Sequence, residues 1–182
     1  MTSTIYYNLS SSIQRDRAFS PDFASPIVTK IDGTRMVFPT LHHYYAYARF
    51  DHSDYRERVI SAWTLKDLLF CEGERIAGWY AEKKPPVDVG PETPEWKDPE
   101  QRIKRFYEGQ RLKYEQNPCL LELLLDTLDD ELVFDTSKYS NWFCTTFGMN
   151  EKGEGDILAG KDLMYLRTKF RKGDYTSHQV HV

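Results

Sequence analysis

The chain is poor in cysteine, has no long apolar run and carries little excess of either charge. Cys71, Cys119 and Cys144 are its only cysteines, and no two form a CxxC pair. That argues against a zinc ribbon or a disulfide framework and points to a reducing, cytoplasmic setting. Each thiol is expected as a small buried apolar group. No stretch approaches the roughly 18 apolar residues of a membrane span. The opening Met1-Thr2-Ser3-Thr4 lacks the basic-then-apolar pattern of a secretory signal. Lys+Arg number 24 against 28 Asp+Glu, a formal charge of −4. Such a balance gives no general attraction to nucleic acid or to anionic lipid. Neither GxGxxG nor GxxxxGK[ST] occurs, which argues against dinucleotide and P-loop sites, and HExxH is missing. No metal and no cofactor are expected.

Aromatics are plentiful, with 12 Tyr and 10 Phe in 182 residues. That content argues against disorder, and the length suits one domain with its own core. Residues 4–8 read as a short strand and 10–25, rich in Ser, Asp and Pro, as a loop. Asp32-Gly33 sits between two β-forming runs, 27–31 and 34–38, and signals a hairpin, because a type I′ turn needs positive φ at both centres. Thr40 is placed to cap a helix over 41–50. Further helices are expected over 54–62 and, behind Thr64, over 65–71. Pro85, Pro86, Gly90, Pro91 and Pro94 exclude a regular helix interior over 83–98. Pro99 suits the first turn of a long helix, along which Ile103, Phe106, Tyr107, Gln110, Tyr114 and Asn117 recur at helical spacing. Pro118 opens a helix over 119–128, apolar nearly all round and so expected to be central. A strand over 131–135 and a helix over 156–171 follow. Strands early and helices late indicate an α+β fold, predominantly helical, with a few short N-terminal strands. The domain spans 1–172, with 84–98 as a proline-rich loop insertion and 173–182 as a flexible tail.

His42, Tyr45, Ala46 and Arg49 fall at i, i+3, i+4 and i+7 and share one helix face. That stripe offers an imidazole, a phenol and a guanidinium, groups that grip a phosphate and a stacked base. Spacing alone favours a half-buried helix with its polar groups in water. His42 and His43 are adjacent and project about 100° apart, a poor arrangement for one metal. Lys113, Gln116 and Asn117 near the end of the long helix read, on pattern alone, as a solvated edge. Trp63, Trp79, Trp96 and Trp142 fit core positions, and any of them also fits a stacking platform. Asp126, Asp129, Asp130 and Glu131 read as a solvated helix end.

Several segments in order resemble the NADAR (NAD- and ADP-ribose-associated), or YbiA-like, family. His42-His43-Tyr44-Tyr45-Ala46-Tyr47-Ala48-Arg49-Phe50 is similar to its E-H-Y-[FY]-Q-A-x-K-F helix. Thr64-Leu65-Lys66-Asp67 and Trp79 match a capped short helix and the tryptophan after it. The most specific run is Lys113-Tyr114-Glu115-Gln116-Asn117-Pro118-Cys119-Leu120 with Leu124-Leu125-Asp126-Thr127, similar to K-F-x-Q-N-x-x-L-x-x-x-L-L-x-T. Trp142, Gly155, Gly160, Leu163, Met164 and Arg167 keep the closing register.

The resemblance implies a single YbiA-like domain with a cleft for ADP-ribose-like or ribosyl-base small molecules, and ADP-ribosylated nucleic acid as a further partner class. The implied activity is an N-glycosidase, a hydrolase cleaving a C–N glycosidic bond, in full or degenerate form. The alternative is a catalytically inactive nucleotide sensor or protein-interaction module. The departures fall on acidic positions: the family glutamate is His42, the aspartate before tryptophan is Tyr139 beside Ser140, and the glycine after it is Phe143. The closing asparagine is Ile157, and a leucine is Ala159. Lys113, Gln116, Asn117, Thr127 and Arg167 are retained. His42, Tyr139 and Ser140 are therefore the implied catalytic residues. Tyr45, Arg49, Lys113, Asn117, Trp142, Gly155 and Gly160 are the implied ligand contacts. Asp51, Asp135 or Asp156 would supply a carboxylate from a shifted position.

Overall fold

The computed structural model describes residues 2–8, 11, 13–62, 90–136, 142–150 and 152–173. They form two compact units: Met1–Phe23 with Gln110–Val182, and Ala24–Gly109.

In the second unit, β2 (Ile27–Ile31) and β3 (Thr34–Phe38) pair antiparallel, with Ile31 opposite Thr34. Asp32 and Gly33 take φ of 50° and 79°, the positive values the Asp-Gly signal requires. Pro39 leads to α2 (Leu41–Tyr47), whose cap is Thr40: its side-chain oxygen accepts from the His43 amide. All seven α2 residues are buried. The solvent-facing alternative for its polar groups is therefore not realised, and the helix stops at Tyr47, before the expected residue 50. Phe38 meets Tyr44 and Tyr47 edge-on at 5.4 and 5.2 Å. Helix α3 (Ser53–Ser61) buries Tyr55 and Val59, and the Tyr55 hydroxyl donates to the Ala46 carbonyl. The expected 65–71 helix, Trp63, Cys71 and Trp79 lie outside the described residues. Pro94 opens a four-residue α4 (Pro94–Lys97), capped by Thr93, inside what the sequence suggests is loop. Pro99 begins α5 (Pro99–Gln116), as its fixed φ favours.

The first unit is built on a pairing distant in sequence. β1 (Thr4–Tyr7) runs parallel to β4 (Glu131–Phe134), with Ile5 opposite Leu132 and Tyr7 opposite Phe134. Ile5 and Tyr7 point inward and Tyr6 outward, the strand period of two. Residues 10–25 are not all loop: α1 (Gln14–Phe19) buries Asp16, Ala18 and Phe19, a tertiary role that Ser-rich composition conceals. Helix α6 (Pro118–Leu125) is not central. Only Leu120 and Leu124 are buried, Cys119 is exposed, and Leu128 beyond its end is 69% exposed at φ 49°. Its apolar run gives one buried ridge, Leu120 and Leu124, flanked by half-buried Leu121, Leu123 and Leu125, with Pro118, Cys119 and Glu122 exposed. α7 (Trp142–Phe147) and α8 (Leu158–Arg171) follow, with α8 laid on β4. The Arg167 guanidinium donates to the Thr127 hydroxyl and the Asp130 carbonyl, so two retained residues fasten α8 to the turn before β4. The chain is thus α+β and predominantly helical, as expected. No described helix is long and apolar enough to cross a membrane.

Ile157, the residue before α8, holds a left-handed φ of 50°. A β-branched side chain is strained there, costing about 1–2 kcal/mol, whereas asparagine tolerates it. Ile157→Asn is accordingly expected to stabilise the fold by about 1 kcal/mol, read as a higher urea midpoint with unchanged m-value. An unchanged or lower midpoint would contradict the strain.

Candidate functional site

In the first unit the conspicuous group is Lys113 on α5. The pattern places it on a solvated edge; the structure places it in the core, with 0% exposure. Its Nζ donates to the carbonyls of Ala18 and Ser20, both at 2.8 Å. The Tyr114 and Phe23 rings lie 5.6 and 5.8 Å from the amine. Burial pushes its pKa down to about 7, with Asp22 partly opposing that shift. An ammonium deprived of water favours the neutral form. Near neutrality such an amine populates both forms, so it can donate a proton, accept one, or act as a nucleophile. Asn117, four residues on, donates from its side chain to the Lys113 carbonyl at 2.7 Å. It precedes α6 and joins the two helices.

Gly155 and Gly160 have packing roles. A Cβ on Gly160 would stand 1.8 Å from the Leu132 carbonyl oxygen, and one on Gly155, at φ 143°, would stand 2.1 Å from that of Gly148. These glycines let the α8 turn and helix meet β4 and the α7 end backbone to backbone.

One buried charged group carries no signal in the motif pattern. Asp162 on α8 is 8% exposed and accepts from the Gln110 amide at 2.8 Å; the same amide donates to the Ala159 carbonyl. Burial pushes the Asp162 carboxyl up to about 7, against the opposing pull of the Gln110 bond. The available signal was position: Asp162 shares a helix face with Ala159, Leu163 and Leu166, all buried. A carboxylate on such a face is rare unless satisfied or neutral.

In the second unit α2 brings together three expected residues. Tyr45 packs on Trp96 at 4.6 Å and on Phe106 at 6.0 Å, and the His42 ring meets Tyr45 at 6.5 Å. His42 is 6% exposed. Arg49 pairs with Glu92 at 2.9 Å, and its guanidinium lies over Phe50 and Trp96 at 5.2 and 5.8 Å. Thr93 ties this segment to the α2 end through the Ala48 and Arg49 carbonyls. His43 is structural: its ring bonds the Thr40 hydroxyl and the Ala62 carbonyl.

Tyr139 and Ser140 lie outside the described residues. Trp142 opens α7, and its side chain lies outside the description as well. Of the shifted carboxylates, Asp51 pairs with Arg56 at 2.7 Å, Asp135 accepts from Asn8 at 2.8 Å, and Asp156 is exposed. No cluster of three or more His, Cys, Asp or Glu side chains suited to a metal occurs among the described residues.

Comparison with known proteins agrees with the motif order. A family model described as the NADAR domain matches residues 7–171. A solved structure, the NMR structure of the E. coli protein YbiA, is similar in fold at a TM-score of 0.68. Its identity is 24%, over 100% of this chain and 94% of that one. No curated protein matches the chain. With nine-tenths of its length covered by the family model, the chain belongs to the NADAR family.

Proposed function

We propose that the protein binds an ADP-ribose-type or ribosyl-base ligand and hydrolyses its C–N glycosidic bond. The observation that carries this reading is Lys113. The most specific family run folds so that its lysine becomes a buried amine of depressed pKa, an arrangement common at functional sites. Two of its donor positions serve the Ala18 and Ser20 carbonyls, and an ammonium has three. The remaining one suits a ribose hydroxyl or a leaving-group atom. Because the amine is fully buried, a ligand reaches it by displacing part of the 18–23 segment. Within the second unit, taken by itself, the α2 stripe is a separate candidate, with His42 the proposed base or ligand contact and Arg49 the proposed phosphate contact.

Hydrolysis of this kind passes through an oxocarbenium-like centre and needs an oriented water. Incubation with ADP-ribosylated DNA, and separately with aminouracil ribosyl phosphates, is expected to release free base or unmodified DNA. His42→Ala is expected to slow release by about 10²–10⁴-fold, the usual worth of a general base. No product from either substrate removes the catalytic reading. The replacement of the family glutamate by His42 favours a second reading, a nucleotide sensor that binds without turnover.

A further inference from the structure

Three polar side chains in the interior of the first unit have no part in the proposed reaction. The hydroxyls of Tyr7, on β1, and Tyr114, on α5, are buried and without a hydrogen-bond partner among the described residues, and both tyrosines have 0% exposure. Both lie within electrostatic reach of Asp162 on α8. Buried phenols are nearly always paired, and two orphans within electrostatic reach of one buried carboxyl call for an explanation. Asp162 itself takes a single bond, from Gln110.

We propose that Asp162, Tyr7 and Tyr114 form an internal proton switch. In one state a neutral Asp162 carboxyl is joined to Gln110 alone; in the other, an ionised carboxylate is taken up by the two phenols. The phenols are unpaired donors within electrostatic reach of a charge not present in the first state. Desolvation supplies the bias toward the neutral state, because a carboxylate in the interior loses its water. No cation among the described residues offsets it. From α5 the groups near Asp162 are Gln110 and Tyr114, with Lys113 preceding Tyr114 and engaged by carbonyls; from β1, Tyr7. β4 contributes buried Leu132, Val133 and Phe134, and its Glu131 is exposed. α6 contributes buried Leu120 and Leu124, with Glu122 exposed, and α7 the buried thiol of Cys144. Burial raises the carboxyl to about 7, which places the switch near neutral pH.

The direction follows from linkage. A carboxyl raised in the folded state contributes stability that is fully present below its unfolded value and is lost as pH rises through the folded value. The test follows the Asp162 side-chain carboxyl carbon by NMR from pH 4 to 9, alongside urea unfolding of the wild type, Asp162→Asn and Tyr7→Phe/Tyr114→Phe. The carboxyl is expected to titrate near neutrality. Between pH 5 and 7 the wild-type folding constant is expected to fall about fifty-fold relative to Asp162→Asn. The double phenylalanine variant, lacking the receiving donors, is expected to move the carboxyl midpoint upward by about one unit or more. A midpoint in the ordinary carboxylate range, or one that the double variant leaves in place, overturns the switch. Both readouts use wild type and the double variant, so the proposal stays testable if Asp162→Asn does not fold.

Discussion

Gly160→Ala is expected to destabilise the first unit by about 3 kcal/mol or more, near the upper end for overpacking. Helix preference alone points the other way, since alanine exceeds glycine by about 1 kcal/mol in a helix interior. Steric conflict wins because the added Cβ would stand 1.8 Å from the Leu132 carbonyl oxygen, 2.8 Å from its carbon and 3.4 Å from the Val133 amide nitrogen. All three are backbone atoms of β4, and the strand is pinned on its other side by its pairing with β1. Relief requires α8 to lift from the sheet, exposing Ala159 and Leu163, which are fully buried. Urea denaturation reads the loss directly. A midpoint equal to that of the wild type would mean that α8 and β4 do not approach this closely.

Raising the pH from 7 to 9 is expected to strengthen the fold through Lys113 by about 2 kcal/mol. The amine falls from an ordinary 10.5 to about 7 in the folded protein. Between those values the unfolded chain binds more protons than the folded one, so stability rises with pH at close to 1.4 kcal/mol per unit, the value of one pKa unit. Lys113→Met keeps most of the volume and removes the titration. Its stability should be nearly flat over that range once the change common to both proteins is subtracted. Its absolute stability at pH 7 is less informative, because methionine leaves the Ala18 and Ser20 carbonyls without their donor. Together with the opposite slope from Asp162 below pH 7, the two groups place a local minimum of stability near neutrality. Identical slopes in wild type and Lys113→Met above pH 7 would show an ordinary, hydrated lysine.

Local signals in the sequence served the fold well where one residue decides geometry. Asp32-Gly33 specifies the hairpin turn, Thr40 the α2 start, and Pro99 and Pro118 the starts of α5 and α6, because each acts through its own dihedral or donor chemistry. Tertiary choices were less legible. α1 forms from a polar segment because Ala18 and Phe19 find cover elsewhere in the unit. The parallel β1–β4 pair joins segments 127 positions apart, as the Ser3–Asp130 bond records, and no local pattern encodes that partnership. All-round apolarity suggests a central α6, yet composition cannot say which neighbours arrive to cover its leucines.

For the candidate site the difficulty was polarity. On pattern alone Lys113 reads as part of a solvated edge, because charged groups usually are exposed, and nothing in the motif pattern singles out Asp162. Their burial depends on the carbonyls of the 18–20 segment and on Gln110, neither of which is adjacent in sequence. The family run contains Lys113, and spacing alone gives no reason to single that residue out.

Calorimetric titration of ADP-ribose at pH 6, where the Lys113 amine is charged and has its third donor, tests the central claim most directly, with wild type and Lys113→Met each first shown folded by circular dichroism. The account expects micromolar-range binding to the wild type and about tenfold or greater weakening in Lys113→Met, the usual worth of a hydrogen bond to a charged group. An absence of heat with the wild type, or equal affinity in the two proteins, would contradict it.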